Sequence, residues 1–334
     1  MGVILAEKNV VDSKAMRDAY AETLMELAKK DERVVALDAD LMSSMGMKPF
    51  AKEYPERTFD VGIAEANMIG LASGLSLTGK IPFAHTFGVF ASRRACDQVA
   101  ISGAYQKANI RIVGSDPGVT AAYNGGTHQT YEDLGIMRGI PGMTVMEPTD
   151  VTMLKDILKQ VKDKYGMYYI RLVRKISTKI YEEGSTFEIG KAVEVVKGND
   201  ATVIASGLLV AEAIKAAKIL ENKGISIRVL NMFTIKPVDK EAIIKSARET
   251  GAIITAENHN ILNGLGSAVA EVLTENTPVP MERIGMPDCY GEVGSIDYLK
   301  DKYGLNCSNV VDKVEKVLKR KNTNMEVNYE SSSY

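Results

Sequence analysis

Tryptophan is absent from the 334 residues, and cysteine and histidine occur only three times each. Cys96, Cys289 and Cys307 are scattered, odd in number and free of any C-x-x-C pair, a pattern of reduced thiols that argues against a disulfide framework or a thiolate zinc site. His85, His128 and His259 lack H-x-x-x-H spacing, so no transition-metal site built by this chain alone is expected. No apolar run approaches the roughly 20 residues of a membrane span. The best candidate, residues 201–211, is broken by Thr202 and Ser206. The opening MGVILAEKNV is too briefly apolar for a signal peptide. A soluble cytoplasmic protein without a membrane partner is the expectation. An excess of one charge is missing too: 41 Lys and Arg face 43 Asp and Glu, a formal net charge of −2. Phosphate-backbone binding needs a basic surplus, so nucleic acid is not expected as a partner, whereas a local anion pocket is compatible with this balance.

What is present is an ordinary globular composition, 45% hydrophobic and 25% charged, in a chain long enough for two domains. Short apolar runs at 33–37, 58–61, 81–83, 110–114, 143–146 and 168–173 alternate with amphipathic stretches at 13–29, 64–77, 92–107 and 150–164. This alternation predicts crossover units and a largely parallel sheet with helices on both faces. Ser13 and Asp150 are the candidate N-caps. After residue 173 the pattern dissolves into mixed charge with Gly184 and Ser185, which reads as an interdomain linker over 177–189. A second, smaller α/β unit follows, with strands predicted at 201–205, 225–230 and 252–256 and helices at 208–222, 239–250 and 266–274. The end of the chain, 322–334, is polar and expected to be disordered.

In open parallel sheets, ligands bind beyond the carboxyl ends of the strands. Four stretches in such places carry chemistry-bearing residues. GIAEAN puts Glu65 in the first turn of a helix, and HTFGVF gathers His85, Phe87 and Phe90. The long Gly-rich loop SDPGVTAAYNGGTHQTYED contains Ser115, Asn124 and His128, and Arg174 follows the strand at 168–173. Taken singly, each has an ordinary reading: an acid complementing a helix dipole, aromatics in a core, a surface histidine, an arginine paired with a carboxylate. Gly264-x-Gly266 lacks the third glycine of a dinucleotide fingerprint and reads as a tight helix entry. The common placement at strand ends is the stronger signal.

Read together, FDVGIAEANMIGLASGLSLTG, FAHTFGVFASRRACDQ and NGGTHQTYEDLGIMRGIPGMTVMEPTD resemble the pyrimidine-binding domain of transketolase. VIASG, VLNMFTIKPVD and ITAENHN resemble the transketolase C-terminal domain. The resemblance implies domains at 10–176 and 190–321. The GDG motif that precedes diphosphate and metal binding in this family is missing. The chain therefore resembles the C-terminal subunit of a split transketolase, which implies a separate diphosphate-binding subunit and an α₂β₂ heterotetramer.

The same resemblance implies thiamine diphosphate as cofactor, with Mg²⁺ or Ca²⁺ bound mainly by the partner. It implies transfer of a two-carbon ketol unit from a ketose, typically a sugar phosphate, to an aldose. Glu65 matches the glutamate that meets N1′ of the aminopyrimidine, and Phe87 and Phe90 match its aromatic holders. His128 matches the histidine at the reacting carbonyl. Arg17, Ser44 and Arg174 match positions that grip the sugar phosphate. Two departures stand out. Asn124 occupies the place of a substrate-reading aspartate, and Ser115 that of a substrate-gripping histidine. Both point to a non-standard substrate, such as a branched sugar phosphate or a sulfonated ketose. The β subunit of a 2-oxoacid dehydrogenase, a deoxyxylulose-phosphate synthase and a non-catalytic module with the same fold are the competing readings.

Overall fold

The computed structural model describes residues 2–7 and 10–331, with side chains through residue 323. In chain order the first domain comprises α1 (Met16–Lys30), β1 (Val34–Asp38), α2 (Lys48–Glu53), β2 (Thr58–Asp60), α3 (Glu65–Leu77) and β3 (Ile81–Phe87). Next come α4 (Cys96–Gln98), flanked by π-helical turns at Phe90–Arg94 and Val99–Tyr105, then β4 (Ile110–Ser115) and α5 (Asp133–Gly139). β5 (Met143–Met146), α6 (Val151–Asp163) and β6 (Met167–Leu172) complete it. The second domain runs β7 (Val193–Val196), β8 (Ala201–Ala205), α7 (Leu209–Glu221), β9 (Ile227–Asn231), β10 (Thr234–Lys236), α8 (Lys240–Thr250), β11 (Ile253–Asn260) and α9 (Leu265–Asn276). It ends with β12 (Met281–Met286), α10 (Ile296–Lys302) and α11 (Cys307–Ser331).

The strands form two sheets, ordered β10-β5-β6-β4-β3-β1-β2 and β12-β11-β8-β9-β7. All pairings are parallel except those of the edge strands β10 and β7. This is the expected α/β architecture. Strand periodicity sets the layers: Val34 and Ala36 of β1 pack with Leu24 of α1 and Leu154 of α6, whereas Val35 and Leu37 pack with Met68 and Ala72 of α3. Parallel strands covered on both faces are mostly apolar, and β1, β3, β4, β6 and β8 are buried along their whole length.

Some expectations need correction. Ser13 does not cap the first helix. The helix begins after Ala15, and its first amides are met by the strand-exit carbonyls of Lys175 and Arg174 instead. Asp150 does cap α6, accepting from the Met153 amide at 2.9 Å. The single helix expected over 92–107 is a π–α–π succession. The short strands β7, β10 and β12 were not anticipated. β10 crosses the expected domain boundary and pairs with β5 of the first sheet. Residues 177–189 are a docked strap rather than a loose linker: Tyr181 bridges Leu5, Thr178 bridges Val11, and Asp150 accepts from the amides of Ile180 and Tyr181. The polar stretch from 322 continues α11 as far as Ser331; residues 332–334 of the expected tail lie outside the described residues.

The domains meet around one arginine. Arg171 of β6 is fully buried and spends its guanidinium on Asp133 (Nε to Oδ2 2.8 Å, Nη2 to Oδ1 3.0 Å), Glu147 (2.8 Å) and the Asn258 carbonyl (2.8 Å). Glu147 also accepts from Ser206 at 2.7 Å, and Asp133 from Tyr169 at 2.7 Å. Beside this joint, His259 of β11 places Nδ1 2.8 Å from the Asn260 carbonyl, while its Nε2 takes the Gly135 amide at 3.3 Å. The hydrogen bonds thus assign the proton to Nδ1. Burial pushes the His259 pKa down to about 4, and burial pushes Glu257, 3.7 Å away, up to about 7.

Arg171→Leu would strand two buried carboxylates, and a loss of about 3–5 kcal/mol is expected, read as a lower urea midpoint. A wild-type midpoint in the variant would remove Arg171 from this role. His259 stabilises the fold above about pH 6.5, and that contribution is lost as the pH falls toward 4; Glu257 has the opposite sign, its contribution being lost as the pH rises from 4.5 to about 7. The two therefore mask each other in the native protein. Comparison with His259→Asn separates them: the stability advantage of the native chain over the variant should shrink by about 3 kcal/mol between pH 7 and pH 4. An advantage that does not change with pH would show that His259 does not titrate in this way.

Candidate active site

β1, β3, β4 and β6 are parallel neighbours, so the segments leaving them emerge along one edge of the first sheet. β2 beside β1 delivers Glu65, the first residue of α3, with 1% of its surface exposed. Both Glu65 oxygens accept from Nη1 of Arg94, at 2.9 and 3.0 Å. The π-turn at Phe90–Arg94 carries its last residue back over its first, and the Arg94 guanidinium lies 4.2 Å from the centre of the Phe90 ring.

From Phe90 the contacts continue without a break. Phe90 stacks on Phe87 with centroids 6.1 Å apart, and the His128 ring stands edge-on to both, at 5.4 Å from Phe90 and 6.1 Å from Phe87. The Thr127 hydroxyl sits 2.9 Å from Nδ1 of His128, and no other hydrogen bond to that ring is found among the described residues. This leaves Nε2 for a reacting group. The Arg174 guanidinium also lies over Phe87, 5.3 Å from the ring centre, with Nε 3.0 Å from Oδ1 of Asp116. Arg17 joins through the main chain, its amide meeting the Arg174 carbonyl at 3.5 Å, and its Nη1 donates to the Ser44 carbonyl at 3.2 Å. Arg17, Arg174 and Lys175 line an open cavity of about 640 Å³.

The loop bearing His128 is held from the second domain. Asn258 accepts from the Val119 amide (3.0 Å) and donates to the Pro117 carbonyl (2.9 Å), and Gln129 donates to the Glu292 carbonyl (2.8 Å). Gly118 is required here: its φ is +50°, and a Cβ would sit 2.2 Å from Oδ1 of Asn258. Ala122 in the same loop has φ 48°, a left-handed conformation that a non-glycine residue keeps only when its surroundings enforce it.

Glu65, Phe87, Phe90, His128, Arg174, Arg17 and Ser44 are thus brought into one row. Asn124 is exposed at the end of a 3₁₀ turn and shares no side-chain hydrogen bond with that row. Ser115 is fully buried and donates to Oδ2 of Asp116 at 3.0 Å; Asp116, not Ser115, meets Arg174. His85 turns away into the core, between Tyr20 (3.2 Å) and Asp38 (3.0 Å). Arg94 and Asp116 were missed by sequence reasoning. Their only local signals are a cation four residues after Phe90 and an acid directly after a strand. Gly264–Gly266 is the tight helix entry expected, with Glu257 accepting the Leu265 and Gly266 amides at 2.7 Å each. Among the described residues, no cluster of three or more His, Cys, Asp or Glu could hold a metal, and no helix is long and apolar enough to cross a membrane.

A buried carboxylate beside an aromatic face suits a flat, nitrogen-bearing ring. Arg94 demonstrates the fit, since its planar cation stacks on Phe90 while hydrogen-bonding Glu65. Residues 12–178 match the family model "Transketolase, pyrimidine binding domain", and residues 190–310 match "Transketolase, C-terminal domain". The chain belongs to the transketolase family.

Within that family it is similar along nearly its whole length to subunits of split enzymes. The "6-deoxy-6-sulfo-D-fructose transketolase subunit SqwH" of Clostridium sp. (strain MSTE9) is 52% identical over 92% of this chain and 95% of its own. A subunit of the apulose-4-phosphate transketolase of Phocaeicola vulgatus is 38% identical over 90% and 98%. The solved "Split gene transketolase, inactive beta4 tetramer" superposes with a TM-score of 0.86 at 43% identity, covering 92% of this chain and 99% of that one.

Proposed function

We propose that this chain is the pyrimidine-binding subunit of a two-subunit transketolase, and that its donor is a ketose with a non-standard end, foremost a sulfonated ketose. The partner would bring the diphosphate and its Mg²⁺ or Ca²⁺, and a two-fold α₂β₂ assembly is the simplest closed arrangement. The observation that carries this reading is the unbroken row from Glu65 to Arg17, with a proton-handling carboxylate at one end and cations at the other. The likeness to a subunit acting on 6-deoxy-6-sulfo-D-fructose supports the sugar class.

Bound thiamine diphosphate would supply the carbon nucleophile and the electron sink. Glu65 would hold the proton at N1′ of the aminopyrimidine, a task suited to a carboxyl shielded from water. Phe90 would support the pyrimidine face, with Arg94 giving up its place on Glu65. His128, braced edge-on against two phenyl rings and oriented by Thr127, would donate from Nε2 to the oxygen that gains charge as the ketol moves. Arg17 and Arg174 would hold the acid at the far end of the sugar.

The test combines this chain with its diphosphate-binding partner, thiamine diphosphate and Mg²⁺. Given 6-deoxy-6-sulfofructose and glyceraldehyde 3-phosphate, carbon balance requires xylulose 5-phosphate and a four-carbon sulfonated aldose. Formation of both is the expected result. Turnover of xylulose 5-phosphate with ribose 5-phosphate, without any turnover of the sulfonate, would make the enzyme an ordinary transketolase. In the same assembly Glu65→Gln should lower kcat about 100-fold or more, because the amide keeps an acceptor for Arg94 but cannot take the proton. Unchanged turnover would remove Glu65 from the proton path.

A further inference from the structure

Glu65 and Arg94 are unequal partners. Glu65 is buried, and the only hydrogen bonds to its carboxylate among the described residues come from Nη1 of Arg94. The Arg94 side chain is half exposed, and its Nε and Nη2 find no acceptor among the described residues. Arg171 shows what a permanently locked arginine looks like in this fold: it has no exposed surface, and Nε, Nη1 and Nη2 all donate to carboxylates or carbonyls. Arg94 is held by one nitrogen and by one face, 4.2 Å from the centre of the Phe90 ring. Its neighbour Arg93 pairs elsewhere, with Glu132 at 2.8 Å.

We infer, on the reading that Glu65 and Phe90 seat the aminopyrimidine of thiamine diphosphate, that Arg94 is a built-in competitor for that seat: its flat cation covers the Phe90 face and satisfies Glu65 until it yields to the cofactor ring. Both occupants are planar and present nitrogen to the carboxyl, and one carboxyl on one phenyl face cannot serve both. Cofactor binding is therefore an exchange rather than an addition, because the contact between Glu65 and the ring replaces the contact with Arg94. The apparent affinity falls by the fraction of molecules in which the seat is open. A charge-assisted hydrogen bond to a buried carboxylate, together with a half-exposed cation–π pair, keeps the seat closed in about nine molecules of ten. The same contact supports the cofactor-free chain, since without it a buried carboxylate would stand unpaired. Removing Arg94 should therefore move two quantities in opposite directions: the chain becomes less stable and its hold on the cofactor becomes tighter. A merely structural residue would lower both.

The experiment titrates thiamine diphosphate calorimetrically into the assembly of this chain, its diphosphate-binding partner and Mg²⁺. Arg94→Met keeps a flexible unbranched stem and removes every donor; Arg94→Gln repeats the comparison with a shorter, uncharged polar stem. The Kd of Arg94→Met should be about tenfold lower than that of the native assembly, while the urea midpoint of the cofactor-free variant chain falls. Arg93→Met removes the same charge one residue away and should leave Kd unchanged. Pyrophosphate with Mg²⁺, which carries the diphosphate but no ring, should bind the native and Arg94→Met assemblies alike. In a Glu65→Gln background, where the charge that holds Arg94 is gone, the gain from Arg94→Met should largely disappear. Equal or weaker binding of thiamine diphosphate to both Arg94 variants, or the same gain in Arg93→Met or with pyrophosphate, would overturn the inference and leave the cofactor assignment standing. Thiamine diphosphate that binds neither the native nor the variant assemblies would overturn the cofactor assignment, and the competition with it.

Discussion

The structure depends on Arg171. A guanidinium with no exposed surface would be expelled from any interior that left it unpaired, because the desolvation penalty for an isolated buried ion is several kcal/mol. Here two carboxylates and two carbonyls take up its donors, and those acceptors come from four places: the start of α5, the exit of β5, the end of β11 and Thr130 in the loop before α5. Arg171 and both carboxylates belong to the first domain, and the Asn258 carbonyl and the Ser206 hydroxyl complete the network from the second. These directional hydrogen bonds to a buried ion pair help fix how the second sheet sits against the first. β10 adds a backbone counterpart by crossing over to pair with β5.

This rigidity reaches the site. Asn258, whose carbonyl accepts from Arg171, uses its side chain to hold the loop at Pro117 and Val119 that leads to His128. Among the described residues no side chain of the second domain hydrogen-bonds Glu65 or the His128 ring, yet that domain sets the path of the loop that presents His128. A long Gly-rich loop left to itself would sample many conformations, and fixing it carries an entropic cost of roughly 1–2 kcal/mol per residue. Polar contacts from a neighbouring domain offset that cost while leaving the outward face of the loop open to a ligand.

Much of this was legible in the sequence and some was not, and the dividing line is physical. The central strands announce themselves because burial on both faces demands continuous apolar runs, as in VVALD and ATVIA. β7, β10 and β12 escaped notice because they lie at sheet edges, where only part of each strand is covered and the period is weak. Family resemblance pointed to Glu65, Phe90, His128 and Arg174, which the structure places at the ends of neighbouring strands. It missed Arg94 and Asp116, whose importance lies in partners 29 and 58 residues away in sequence, Glu65 and Arg174. The Ser13 cap failed for the same kind of reason, since carbonyls from the end of β6 satisfied the helix start first.

Both missed residues act by charge within a frame built from aromatic rings. Arg94 neutralises Glu65 from a perch on Phe90, and Asp116 tempers Arg174 beside Phe87. The two ends of the row thus use the same device: a buried ionised group, a counter-charge and a phenyl face that orients the cation. The ends differ in which member is exposed. At the Glu65 end the carboxylate is buried while Arg94 is 47% exposed, so the cation is the part free to leave when a ring arrives. At the other end Asp116 is sealed and Arg174 is 18% exposed, so the pair stays together and a ligand meets the sum of its charges. One device can therefore leave its cation free to move at the cofactor side and keep it paired at the sugar side, according to which partner the fold has locked in place.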